Sequence, residues 1–181
     1  MGRMTSHAAF TVHPTPIGEA LVVVTDSGLS HLELLDDSAG ADASALARIA
    51  AELRTMPEPD AGSTADATGQ LDEYFAGSRR QFELALDLSR VQGFVRAALE
   101  AIREIPYGEV ASYAEIAIAA GSPGANRAVG SACARTPISI VIPAHRVVRS
   151  DGSIGEYGGH PERKVFLQAL ERSAVGEVAA V

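Results

Sequence analysis

The sequence predicts an α+β protein in two parts, an N-terminal α/β domain over residues 1–90 and a mainly helical C-terminal domain over residues 91–181 with a winged helix-turn-helix. Three observations carry this. Apolar runs on either side of an Asp-Ser-Gly turn mark a hairpin near the start of the chain. After residue 90 the apolar period changes from that of a strand to that of a helix. Two short helix signals then follow, separated by a tight turn.

Residues 21–25 and 29–35 are strand candidates, joined by Asp26-Ser27-Gly28 into a hairpin. Residues 41–53 are alanine-rich and helix-forming. Residues 56–63, with two prolines and a glycine, read as a loop. Residues 70–75 read as one or two helical turns closed by Gly77. Phe82, Leu84, Leu86 and Leu88 alternate with Glu83, Ala85 and Asp87, the pattern of a strand with one buried face.

In the second half Val91, Phe94, Val95, Ala98, Leu99 and Ile102 make one apolar helical stripe, ended by Pro106 and Gly108. Ser112 and Glu115 form a Ser-x-x-Glu capping box that opens a helix stopping at Gly121. Ser122-Pro123 is a second start signal, so residues 123–135 read as the second helix of a helix-turn-helix. Ala125, Ala128, Gly130, Ser131 and Ala132 give that helix a surface of small residues, open to close approach by a partner and equally suited to helix packing. Residues 150–153 read as the turn of a wing, and residues 157–159 as a second flexible element.

A chain of 181 residues with 46% hydrophobic content can bury a proper core. No apolar run is long enough to span a membrane and the start has no leader-like apolar stretch, so a cytoplasmic location without membrane contact is expected. The lone cysteine, Cys133, excludes an internal disulfide framework and a cysteine-rich zinc site. No cofactor or metal is implied. The net charge of −8 lies wholly in residues 1–90. Residues 116–150 contain no acid, yet hold Arg127, Arg135, Arg146 and Arg149. These four fit a local positive face, and they also fit ordinary solvated surface.

The motifs "IPYGEVASYAEIA", "GSPGANRAVGSA", "IPAHRVV" and "GSIGEYGGHPERKVFLQALE" resemble, in order and spacing, the C-terminal domain of the O6-alkylguanine-DNA alkyltransferases. More weakly, "TPIGEALVVVTDSGLSHLELL" resembles that family's ribonuclease-H-like N-terminal domain. In the family the tetrad at Pro143-Ala144-His145-Arg146 reads Pro-Cys-His-Arg. The resemblance therefore implies an alkyltransferase-like protein with Ala144 where the reactive cysteine belongs, and with His145, Glu171 and Thr136 as what is left of its relay. A thiol must ionise to attack an alkyl carbon, and a methyl group does not ionise. The chain is accordingly expected not to be an enzyme.

The resemblance also assigns DNA contacts to Tyr113, Ala125, Arg127, Ala128, Gly130 and Arg135. Tyr113 matches the tyrosine that helps rotate a nucleotide out of the duplex, and Arg127 the arginine that fills the gap. Pro143, Ala144, Arg146, Val147, Tyr157 and Gly158 are expected to line the lesion pocket. The implied function is recognition of O6-alkylguanine in duplex DNA by base flipping, with the lesion flagged for nucleotide excision repair proteins. Thr136 stands where the family has asparagine, and Arg96 stands at an apolar or aromatic family position of the core helix. Three alternatives remain: an active enzyme disabled by substitution at Ala144, transfer through Cys133, and a repurposed fold that binds a protein or small molecule.

Overall fold

In a computed structural model, which describes residues 7–179, the chain divides into two compact units, Met1–Asp87 and Leu88–Val181. The stretch from Met1 to Ser6, read above for a leader, lies outside the described residues.

The first unit is a four-stranded sheet in the order β3-β2-β1-β4, with β1 at Ala8–Thr15, β2 at Gly18–Thr25, β3 at Gly28–Leu34 and β4 at Glu58–Pro59. Strands β1, β2 and β3 are antiparallel neighbours, whereas β4 runs parallel to β1. Helix α1 (Ala41–Leu53) buries Ile49 and Leu53 against Ala8, Leu21, Val23 and Leu35. Helix α2 (Ala61–Phe75) lies against β1 and β2 and buries Leu71 and Tyr74. The expected hairpin is present. Gly28 in its turn has φ +126, and a Cβ there would stand 2.3 Å from the Ala85 carbonyl oxygen, so only glycine fits.

Two expectations for this unit are corrected. Residues 61–63 are helix and not loop, and the helix expected at 70–75 starts already at Ala61, because Asp60 caps α2 by accepting from the Gly62 and Ser63 amides at 2.9 and 3.3 Å. Residues 82–88 do alternate in burial but form no named strand. They are held instead by an isolated bridge to Leu29 and by the Gln70 side chain, which exchanges hydrogen bonds with the backbone of Glu83.

The second unit begins with α3 (Gly93–Arg103), whose stripe buries Ala98, Leu99 and Ile102. Full burial of Leu99 and Ile102 contributes roughly 2 kcal/mol each. Arg96 lies off that stripe, bound to Glu100 at 2.5 Å and to the Leu88 carbonyl at 2.8 Å. The capping box at Ser112–Glu115 is formed and starts α4 (Tyr113–Ala119). The second helix, α5, spans only Asn126–Ala134. Ser122 and Pro123 do not start it, because Gly124 has φ +85, a left-handed conformation that no helix contains. Helix α6 (Pro161–Ala179) closes the unit. Two short strands, β5 (Ala111–Ser112) and β6 (Val147–Val148), pair in parallel. No helix among the described residues is long and apolar enough to cross a membrane.

Candidate DNA interface and lesion pocket

The site is organised by a single turn of 3-10 helix, Ala144–Arg146, entered through a strained corner. Ile140 is 1% exposed and has φ +70. A β-branched residue in that region costs about 1–3 kcal/mol and persists only where its surroundings fix it. Here the Ile142 amide donates to the Ile138 carbonyl and the Ala144 amide to the Ile142 carbonyl, at 3.0 and 2.8 Å.

Helix α6 lies along this turn with three polar side chains at i, i+4 and i+7. The Lys164 ammonium donates to the Val147 carbonyl at 2.5 Å, and the Gln168 amide to the His145 carbonyl at 2.7 Å. Glu171 Oε1 meets His145 Nε2 at 2.7 Å, while the Arg146 guanidinium donates to both Glu171 oxygens at 2.9 Å. The same carboxylate accepts from the Gly108 amide at 3.1 Å. Burial alone would raise the Glu171 pKa, but the hydrogen bonds from His145 and Arg146 outweigh it and hold it at about 2. Burial lowers the His145 pKa against the pull of Glu171. The imidazole is therefore neutral at pH 7, donates from Nε2 and carries its lone pair on Nδ1.

Ala144 is 3% exposed at the head of this turn, and Pro143 and Val147 are buried with it. Arg146, expected in the lesion pocket, has its guanidinium committed to Glu171 and, at 2.7 Å, to the Ile105 carbonyl. Thr136, expected in the relay, is not joined to His145. Its hydroxyl is buried and meets no hydrogen-bond partner. Tyr157 turns a buried hydroxyl, likewise unpartnered, inward, whereas Gly158 is exposed with φ +55. Cys133 is a free thiol raised by burial to about 11, so it is protonated and weakly nucleophilic at neutral pH.

Tyr113 connects this turn to α5. Because β5 pairs with β6, the residue after Ser112 emerges beside Val148. The Tyr113 ring lies near Gly130 of α5, with Cε1 3.9 Å from where a Cβ would stand, and its hydroxyl is 3.0 Å from the equivalent point at Gly155. On α5, Val129 and Ala132 face inward, while Asn126, Arg127, Ala128, Ser131, Ala134 and Arg135 are exposed. Ala125 is the half-buried residue at the helix start. Sequence reasoning missed Lys164 and Gln168. Their spacing from Glu171 was visible, but their partners are backbone carbonyls.

The family models for the 6-O-methylguanine DNA methyltransferase ribonuclease-like domain and DNA binding domain match residues 9–88 and 93–173. The chain belongs to this family. It is 38% identical over 161 residues to the methylated-DNA–protein-cysteine methyltransferase of Mycobacterium leprae, covering 89% of this chain and 90% of that one. The constitutive enzyme of that name from Bacillus subtilis is 34% identical over 169 residues, covering 93% and 98%. Among solved structures, Mycobacterium tuberculosis OGT in complex with DNA superposes with a TM-score of 0.77 at 38% identity, covering 93% of this chain and 94% of that chain. The two-domain fold expected from the sequence is that of the family. The expectation that the chain is not an enzyme is corrected: relatives matching about nine-tenths of its length are named as methyltransferases. Alanine at position 144 does not remove the chain from a family of enzymes.

Proposed function

We propose that this protein recognises O6-alkylguanine in duplex DNA by drawing the modified nucleotide out of the stack into the pocket headed by Ala144. The observation that carries the reading is the position of Tyr113. Its ring faces the DNA-facing candidate helix α5 at Gly130 and the wing loop at Gly155, filling the space a side chain at either glycine would approach, and its backbone runs beside β6, directly after the turn that holds Ala144.

In this reading the exposed small residues Ala128 and Ser131 let the α5 backbone approach a minor groove. Arg127, near the helix start and exposed, fills the vacated stack. Arg135 and Arg149 supply phosphate contacts, and the acid-free stretch of residues 116–150 leaves them unopposed in sequence. Extrusion costs a few kcal/mol, which stacking on Tyr113 and contacts in the pocket offset.

Ala144 stands where the family resemblance places a cysteine. The His145–Glu171 pair beside it is formed. The expected hand-over to nucleotide excision repair proteins has no observation behind it among the described residues and is not part of the proposal.

The test is a duplex with 2-aminopurine next to O6-methylguanine. Extrusion unstacks the probe, so its fluorescence rises on addition of protein, and the rise is lost in Tyr113→Ala. Binding without any change in fluorescence would remove base flipping from the reading.

A further inference from the structure

Strand β3 carries a bulge that gives a histidine of the first unit a buried, hydrogen-bonded place. Where β2 pairs with β3, Val24 stands opposite Leu29 and Val23 opposite His31, so Ser30 is one residue too many for the ladder. The bulge brings two side chains together. Ser30 Oγ lies 2.6 Å from His31 Nδ1, and the two residues are 3% and 5% exposed. Across the ring, His31 Nε2 meets one oxygen of the Glu52 carboxylate on α1 at 3.3 Å. Arg48 of α1 donates to the other Glu52 oxygen at 3.1 Å and to Glu33 of β3. A continuous chain of polar contacts thus joins β3 to α1, wholly within the first unit.

The neighbours of the ring fix its protonation. A carboxylate only accepts, so Nε2 carries the proton and donates to Glu52, while Nδ1 accepts from the Ser30 hydroxyl. A second proton, on Nδ1, would force that hydroxyl to accept where it now donates, and would put a charge where water has little access. Glu33, Glu52 and Arg48 are the charged groups that face the ring, and the β2 residue opposite is Val23. Burial, with Arg48 behind it, holds the imidazole below its ordinary 6.5 against the pull of Glu52 and Glu33.

The ends of α1 add little to hold it. It starts at Gly40 without a side-chain cap and stops at Arg54, a residue other than glycine in the left-handed region with φ +57. What holds it is the apolar pair Ile49 and Leu53 beneath it, together with the links from Glu52 and Arg48 to β3.

We propose that Ser30, His31 and Glu52 form an acid-released latch: at neutral pH the ring pins α1 to β3, and a proton taken up by His31 frees the helix while the sheet and α2 stay folded. The sign follows from linkage. The undocked helix leaves His31 the better proton binder, so docking is insensitive to pH well above 6.5 and weakens as pH falls below it.

The experiment is hydrogen exchange of the full chain, read by mass spectrometry on peptides from α1 and α2 and corrected for the intrinsic pH dependence of exchange. Between pH 7.5 and pH 5.5 the α1 amides should lose protection several-fold, up to roughly the tenfold that one histidine of ordinary pKa can supply over that range, while α2 keeps its protection. His31→Gln, whose side-chain amide can donate to Glu52 and accept from Ser30 but does not titrate, should leave α1 equally protected at both pH values. Unchanged α1 protection in the parent, an equal loss in α1 and α2, or the same loss in His31→Gln would overturn the latch. A second measurement needs no variant. Followed by NMR at its ring carbon proton, His31 should titrate below 6.5 in the folded protein, and titration at or above 6.5 would overturn the latch as well.

Discussion

His145 and Glu171 meet in a buried hydrogen bond of 2.7 Å, and Arg146 closes the other side of the same carboxylate with two more at 2.9 Å. This arrangement ties α6 to the turn that bears Ala144. Removing one partner leaves the other charge buried and alone, so Glu171→Gln should cost about 3–5 kcal/mol of stability. Urea unfolding of the variant and the parent checks this, and a loss below about 1 kcal/mol would mean the pair is not what holds the turn.

The same pair fixes the response to acid. The folded pKa of Glu171 lies below its unfolded value, so its contribution is fully present above about pH 4.5 and is lost as pH falls towards about 2. His145 is also lowered, which makes the unfolded state the better proton binder below about pH 6.5. Both groups therefore destabilise the protein on acidification. The melting temperature should fall steadily from pH 7 to pH 4, and the fall should be smaller in the double variant His145→Asn/Glu171→Gln.

Cys133 should be a slow thiol. At about 11 its thiolate fraction at pH 7.5 is some two orders of magnitude below that of an ordinary exposed cysteine. Labelling by a disulfide reagent should be correspondingly slow in the native state and become fast on unfolding. Cys133→Ser should bind alkylated duplex like the parent, and its change in mass on incubation with that duplex should equal the parent's.

Arg127→Ala removes the side chain proposed to fill the vacated stack and should weaken lesion binding by roughly 1–3 kcal/mol. Tyr113→Ala should act in the same direction. Both can be followed by titration of labelled duplex, and parental affinity in the two variants would exclude these residues from base flipping.

Ala144→Cys should let residue 144 take up a methyl group from O6-methylguanine, since the neutral His145 beside it holds a basic lone pair and Glu171 fixes its ring. Transfer should be slow, because a misplacement of about 1 Å costs on the order of a hundredfold. Thr136, whose buried hydroxyl meets no partner, does not supply the hydrogen bonds of an amide, so adding Thr136→Asn should raise the rate. Intact mass after timed incubation reads both effects.

What was legible in the sequence is local chemistry. The Ser112–Glu115 box and the α3 stripe could be read because caps and apolar periods are written in neighbouring residues. The last turns of helix α2 are legible, but its start is not, because its cap, Asp60, sits behind two prolines in a stretch that looks like loop. The alternation of residues 82–88 was real but answers to a glutamine side chain and one bridge instead of a ladder. At the site, His145 and Glu171 were named through family resemblance, whereas the commitment of Arg146 to that carboxylate depends on how α6 is laid down, which no spacing reveals. Lys164 was overlooked because a lysine in sequence looks like surface.

The central claim is that a modified guanine, and not duplex DNA in general, is the preferred ligand. Its most direct measure is the ratio of dissociation constants for one duplex with and without a single O6-methylguanine, taken at about 150 mM salt so that phosphate attraction does not mask it. The modified duplex should bind at least roughly tenfold more tightly. Equal affinities would contradict it.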